Sequence, residues 1–244
     1  LSFFTINANG SVSTTTATST TVIAKDNSTY SFSIFATDFA GNRSATTTAT
    51  AEVSTMPIVI NEVAWEGTGS NATTSKDEWI ELYNRTNRDI DLSGWTLYSE
   101  TDMKPYIVFG KYSKNKTTKN AVIPAKGYYL IERTDASTTS ETEDWYGSFG
   151  NGLSNAGEVL VLSYASTTVD RTPDRANMGW TSGDNYYTME RRDPNLSGIE
   201  RENWGTNNGI MTNGKNVEGN AIHGTPKARN SLNYLIGEPD KNGV

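Results

Sequence analysis

The run Asp77-Glu78-Trp79-Ile80-Glu81-Leu82-Tyr83-Asn84, followed by Asp91-Leu92-Ser93-Gly94-Trp95-Thr96-Leu97, decides the fold. From Glu78 to Tyr83 the side chains divide into Trp79, Glu81 and Tyr83 on one face and Glu78, Ile80 and Leu82 on the other. That is the period of two of a strand in a sandwich. Asn84 to Asp91 is polar and turn-forming. Leu92, Trp95 and Leu97 then bring apolar side chains back around Ser93-Gly94, where a glycine permits a bulge or tight bend. Two strands joined by a short polar loop are expected.

Together with Ile58-Val59-Ile60-Asn61-Glu62-Val63 upstream, these residues resemble the lamin tail domain in the form found in bacterial secreted proteins. Val122-Ile123-Pro124-Ala125-Lys126-Gly127-Tyr128-Tyr129-Leu130-Ile131 resembles that family's proline-glycine turn and following strand. Gly152-Leu153-Ser154-Asn155-Ala156-Gly157-Glu158-Val159-Leu160-Val161-Leu162 resembles its next turn and strand. The resemblance covers Pro57 to Asp170 and, more loosely, Tyr187-Thr188-Met189-Glu190-Arg191, Trp204 and Gly224-Thr225-Pro226. Bacterial relatives often end in a Thr-Pro-Gly turn before an asparagine; here Lys227 stands in the glycine's place and Asn230 follows. The resemblance implies a compact Ig-like β-sandwich used for attachment or interaction, with no catalytic apparatus.

Composition divides the chain near residue 55. Before that point Thr and Ser dominate and charges are sparse. All six tryptophans, Trp65, Trp79, Trp95, Trp145, Trp180 and Trp204, lie beyond it, so the large core belongs to the second part. The expected architecture is all-β: a smaller, incomplete Ig-like or fibronectin type III module over residues 1–55, a lamin tail β-sandwich over 56–170, and a loop-rich C-terminal extension over 171–244 packed on the sandwich. With 244 residues the chain is long enough for either part to bury a core.

Within the first part, Asn9-Gly10 between Phe3–Ala8 and Ser11–Thr16 is a two-residue hairpin signal, because both residues tolerate positive φ. Tyr30, Phe32, Ile34 and Ala36 alternate like a late strand of a fibronectin-type repeat. The segment is too short for the seven strands of such a sandwich, so its edge and inner face call for cover from the neighbouring domain or another copy of the chain. In the C-terminal extension, Asn207-Asn208-Gly209, Asn213-Gly214 and Gly219-Asn220 are turn signals, and Trp180, Tyr186, Tyr187, Met189 and Trp204 are read as anchors for the loops.

The net charge of −7 argues against nucleic acid or an anionic membrane as the default partner of the whole chain. The absence of cysteine excludes disulfides and thiolate sites. No apolar run approaches the roughly 20 residues of a membrane span. A cysteine-free composition rich in Thr and Asn, and a start at Leu1 without a basic leader, are read as a piece of a longer prokaryotic protein that is secreted or displayed at the cell surface.

Four carboxylates of the family pattern, Glu62, Asp77, Glu78 and Glu81, are the candidate ligands for a hard cation such as Ca²⁺, which wants six to eight oxygens. No D-x-[DN]-x-[DN]-G loop accompanies them, and strand glutamates more often pair with Arg or Lys or cap backbone N–H groups. Asp89 and Asp91 are read as turn formers. His223 is the sole histidine, so a histidine-rich zinc centre cannot be built, and it is read as a surface loop residue. No catalytic residue is assigned.

Met103 to Ile131 holds Lys104, Lys111, Lys114, Lys116, Lys119 and Lys126 with no acidic residue. Lys111, Tyr112, Lys114, Lys116 and Lys119 are the candidate ligand-binding loop for a polyanion such as a cell-wall glycan or nucleic acid, against the plainer reading of a solvated hairpin tip. The expected role is structural: anchoring, adhesion or a surface-lattice contact, with neighbouring domains, a second copy or a cell-surface polymer as partners. A binding module for glycan, polyanion or Ca²⁺, or an accessory domain of a secreted nuclease or hydrolase, is the alternative.

Overall fold

The computed structural model describes residues 3–24, 28–110, 117–118, 121–174 and 179–236. The chain divides into two compact units, Leu1–Thr55 and Met56–Val244. The first contains β1 (Phe3–Ala8), β2 (Ser11–Thr15), β3 (Ser28–Thr37) and β4 (Thr47–Val53), joined as one antiparallel sheet in the order β2-β1-β3-β4. Asn9 and Gly10 both take positive φ, 48° and 88°, the pair of left-handed residues that a two-residue hairpin between right-twisted strands requires. Register places Phe4 opposite Ala36, Ile6 opposite Ile34 and Ala8 opposite Phe32, so these apolar side chains share one face. Ala8 is the one apolar side chain among the unit's described residues that is buried.

The second unit is an Ig-like β-sandwich. Its strands are β5 (Ile58–Ala64), β6 (Trp79–Asn84), β7 (Ile90–Asp91), β8 (Trp95–Ser99), β9 (Tyr106–Val108), β10 (Thr117–Thr118), β11 (Val122–Ile123) and β12 (Tyr128–Arg133). They are followed by β13 (Trp145–Gly147), β14 (Leu160–Tyr164), β15 (Thr167–Arg171), β16 (Met189–Arg191) and β17 (Trp204–Thr206). Seven strands form the main sheet in the order β10-β13-β12-β6-β5-β16-β17, and four form the facing sheet in the order β15-β14-β8-β9. Ile58, Ile60, Ile80, Leu82 and Ile131 of the main sheet meet Trp95, Leu97, Leu160 and Leu162 of the facing one in a single apolar core. Alternation along β6 and β8 produces this core, since every second side chain points between the sheets.

The sandwich extends beyond residue 170. β16 and β17 continue the main sheet past β5, with Met189 opposite Val63 and Glu190 opposite Glu62. The main sheet is also covered on its other face, where Ala64, Trp79, Leu130 and Ile222 form a second, smaller apolar cluster. A strand covered on both faces needs no polar side, and the residues of β6 that a one-sided sandwich would show to water are buried here: Trp79 and Glu81 are both 0% exposed. The reading of Trp180 and Trp204 as anchors is matched by their contacts. Trp180 stacks on Trp65 with ring centroids 6.1 Å apart and donates to the Ser154 carbonyl, and Trp204 donates to the Gly198 carbonyl. No helix among the described residues is long and apolar enough to cross a membrane.

Candidate functional site

The site begins with a bulge. The β5–β6 register shifts between Ile60 and Glu62, so Asn61 is an extra residue in the ladder. Strict alternation would put Glu62 on the same face as Ile58 and Ile60, inside the apolar core. The extra residue flips the strand: Val63 joins the core in its place, and Glu62 turns to the opposite face with Ala64. The backbone of Ile60 is left out of regular pairing with β16 and is served by side chains instead. Its N–H donates to Asp170 Oδ2 at 2.8 Å and its carbonyl accepts from Arg191 Nη1 at 3.0 Å. Asp170 and Arg191 pair with each other at 2.6 Å, both essentially out of water.

On the covered face, Glu62 of β5 stands opposite Glu81 of β6 and opposite Glu190 of β16. All three carboxylates are 0% exposed. Each is engaged by the C-terminal segment that follows Ile222. Glu62 Oε1 accepts from Thr225 N at 2.8 Å and from Thr188 Oγ1 at 2.5 Å, and its Oε2 faces Thr225 Oγ1 at 2.8 Å. Glu81 accepts from Lys227 N at 2.6 Å and from Asn61 Nδ2 at 3.0 Å. Glu190 takes Asn207 Nδ2 at 2.6 Å and Ser231 Oγ at 2.7 Å, with Leu232 N at 3.2 Å. Asn230, also fully buried, donates to the Asn61 and Arg191 carbonyls and so ties the same segment to the bulge.

Burial out of water pushes Glu81 up to about 8, against the pull of the Lys227 N–H and the Asn61 amide. Glu62 is raised well above the usual carboxylate range, first by burial and then by the charges of Glu190 and Glu81. Glu190 is raised by burial, opposed by its Ser231 and Asn207 donors. The oxygens of all three buried carboxylates are occupied by protein donors. What they do is fasten: three strands of the main sheet grip one irregular segment whose backbone N–H groups have no ladder of their own.

Gly224 lets that segment approach. A Cβ there would stand 2.7 Å from Thr188 Cγ2, 2.8 Å from Trp79 Cζ2 and 3.0 Å from Glu62 Oε1. The turn that follows uses Lys227 where a glycine was expected, and Lys227 adopts φ of +61°, the left-handed conformation that glycine accommodates without strain. Its side chain compensates by pairing with Asp144, which also accepts from Leu130 N at 2.8 Å. Lys227→Ala keeps the strained backbone and loses the pair, whereas Lys227→Gly relieves the backbone. The glycine variant is expected to be the more stable of the two by about 1–2 kcal/mol in urea unfolding, and an alanine variant equal to or above it would contradict this account of the turn.

The four carboxylates picked out as cation ligands do not converge. Glu62 and Glu81 belong to the cluster just described, with donors on their oxygens. Glu78 immediately precedes β6, paired with Arg133 at 2.8 Å and accepting from Leu153 N at 2.6 Å, and burial pushes it up to about 7. Asp77 sits beside it, raised to about 6 by partial burial and the neighbouring Asp135. Among the described residues no group of three or more His, Cys, Asp or Glu is placed to hold a metal ion. The reason is that a strand alternates, sending Glu78 and Glu81 to opposite faces.

Lys111, Tyr112, Lys114, Lys116 and Lys119 lie outside the described residues. Asp91 caps Ser93 N at 2.8 Å, as a turn former does, whereas Asp89 accepts from the distant Ala125 N at 2.9 Å. His223 differs from a surface loop residue: it is half-buried and stacked on Tyr187, ring centroids 4.0 Å apart. Sequence reading passed over Glu190 as a site residue. The available signal was a lone glutamate after Thr188-Met189 in a segment of loose family resemblance within the loop-rich extension, and only its position opposite Glu62 gives it a role.

Comparison with known proteins follows this geometry. No curated protein matches the chain. Among solved structures it is similar to chitinase ChiA74 from Bacillus thuringiensis, with 20% identity, 53% of this chain and 21% of the chitinase covered, and a TM-score of 0.21. The chain thus spans about a fifth of that protein's length. It is also similar to a DUF4876 family protein from Bacteroides thetaiotaomicron, with 10% identity, 90% and 86% of the two chains covered, and a TM-score of 0.38. Residues 51–174 match the lamin tail domain family. That match takes in half of the chain, from the end of the first unit through β15, and the chain belongs to the lamin tail domain family.

Proposed function

We propose that the chain is a non-catalytic module of a larger extracellular protein, serving to anchor that protein or to make an adhesive or surface-lattice contact. The observation that carries this reading is the use made of the carboxylates. Glu62, Glu81 and Glu190 are fully buried and hold the fold together, and Glu78 is tied to Arg133 and the Leu153 N–H. Acid–base chemistry needs a carboxylate within hydrogen-bond reach of a substrate, and these are spent inside the protein. The first unit supports an interaction role: its sheet carries Phe4, Ile6, Phe32 and Ile34 on one face, and Ile34 is 37% exposed. Apolar side chains gathered on one face of a sheet are the usual mark of a contact surface.

Incubation of the purified chain with chitin, peptidoglycan and single- and double-stranded DNA tests this. The expected result is no turnover above buffer and no Ca²⁺-dependent rise in melting temperature, with self-association in sedimentation measurements. Turnover that disappears in Glu78→Gln would overturn the proposal. So would a Ca²⁺-dependent melting temperature, which would favour a cation-binding module.

A further inference from the structure

The cluster on the covered face contains more oxygen contacts than its hydroxyl groups can serve. Thr225 Oγ1 lies 2.8 Å from Glu62 Oε2 and 3.2 Å from Glu190 Oε1. A hydroxyl carries one hydrogen and can donate to one of two carboxylates. With both glutamates ionised, one of these contacts sets two anionic acceptors against a single proton in a site without water access, an arrangement that costs several kcal/mol.

The remaining donors decide where a proton resolves this. Glu190 is surrounded by donors on both oxygens: Asn207 Nδ2 on Oε1, and Ser231 Oγ and Leu232 N on Oε2. Glu62 Oε1 takes the Thr225 N–H and the Thr188 hydroxyl. Glu62 Oε2 meets nothing but the Thr225 hydroxyl among the described contacts. It is the one carboxylate oxygen of the pair with no N–H aimed at it. A hydrogen on Glu62 Oε2 donates to Thr225 Oγ1, and the Thr225 hydrogen then donates to Glu190 Oε1, so both contacts of the Thr225 hydroxyl have their proton.

We propose that Glu62 is held as a neutral carboxylic acid donating to Thr225 Oγ1, and that this proton is the latch that seats residues 224–233 on the main sheet. Groups facing Glu62 are consistent with a neutral state. Glu81 of β6 and Glu190 of β16 are carboxyls whose negative charge favours the neutral form of Glu62, Tyr128 of β12 is an uncharged phenol, and Thr188 and Thr225 are hydroxyls. The nearby cations are engaged elsewhere: Lys227 with Asp144, Arg191 with Asp170, and Arg229 with the Asn233 carbonyl. A carboxyl that binds its proton more tightly in the seated state contributes most below the ordinary carboxylate range. Its contribution is lost as pH rises through the seated-state value, so the latch opens on the alkaline side.

Infrared spectroscopy and amide hydrogen exchange on the full chain test the latch. Wild type is expected to show a stronger protonated-carboxyl band at pH 7 than Glu62→Gln, the contributions of the raised Glu78 and Glu81 being present in both. Protection of the Thr225 amide, corrected for intrinsic exchange, is expected to fall about tenfold or more between pH 7 and 10 in wild type, since each pH unit above the seated-state value is tenfold. In Glu62→Gln it is expected to fall less than about threefold, because the glutamine NH₂ takes the place of the acid hydrogen while its carbonyl keeps the Thr225 N–H. Glu190→Gln has no such fit, as its NH₂ must face Asn207 or Leu232 N–H, and it should lose protection already at pH 7. A protonated-carboxyl band of unchanged intensity in Glu62→Gln, or Thr225 protection lost at pH 7 in that variant, or an undiminished pH dependence in it, overturns the proposal.

Discussion

Asp170→Ala is expected to destabilise the sandwich by about 3–5 kcal/mol, the cost of stripping one partner from a buried ion pair. Two groups lose their counterpart at once. Arg191, 0% exposed, keeps its charge with only the Ile60 and Leu196 carbonyls to solvate it, and the Ile60 N–H at the β5 bulge loses its acceptor. Stacking of the Arg191 guanidinium over Trp204, 5.7 Å from the ring centroid, does not replace a carboxylate. Most of the loss therefore comes from the stranded charge, and Asp170→Ala combined with Arg191→Met should recover part of it. Urea unfolding of the two single variants and the double variant measures this. A single-variant loss under about 1 kcal/mol, the size of an ordinary surface change, would mean that the pair does not hold the bulge.

The second large effect is expected at Trp79, the side chain on which the C-terminal segment closes. It is 0% exposed, clustered with Ala64, Leu130 and Ile222, and Gly224 packs against its Cζ2 edge. Trp79→Ala removes this packing and leaves a cavity between sheet and segment, for a loss of about 3–5 kcal/mol. Trp79→Phe is the informative comparison. The indole Nε1 is buried without a hydrogen-bond partner, so a phenyl ring sheds an unsatisfied donor while giving up part of the packing. Its loss is expected to stay under about 1.5 kcal/mol. Equal losses for the two variants would show that the indole N–H has a partner.

These two sites show where reading the chain succeeded and where it could not. The strands from Ile58 to Leu162 were legible because a sandwich strand writes its period of two into the sequence, and because Asn9-Gly10 and Ser93-Gly94 mark turns by their backbone freedom. The pattern placed Trp79, Glu81 and Tyr83 on one face without saying what lies on it, since alternation reports that two faces differ but not what covers each one. Glu62 was legible as a strand residue. The bulge that turns it away from the core depends on Asp170 and Arg191, more than a hundred positions further along, which satisfy the Ile60 backbone. Lys227 in the place of a glycine was visible in the sequence, and its φ of +61° and the Asp144 partner that compensates were not.

The run from Asp77 to Leu97 by itself determined paired strands of an all-β sandwich, because local periodicity and turn chemistry act between residues a few positions apart; the lamin tail kind came from the resemblance of that run and its flanking blocks. Tertiary structure alone decided what the carboxylates are for. Their environment is set by which distant segment lies on them: Thr225, Lys227 and Ser231 surround Glu62, Glu81 and Glu190 across separations that no spacing rule spans. A glutamate on a strand is a ligand, a base or a clasp according to the donors that fold against it, and those donors arrive only when the chain closes.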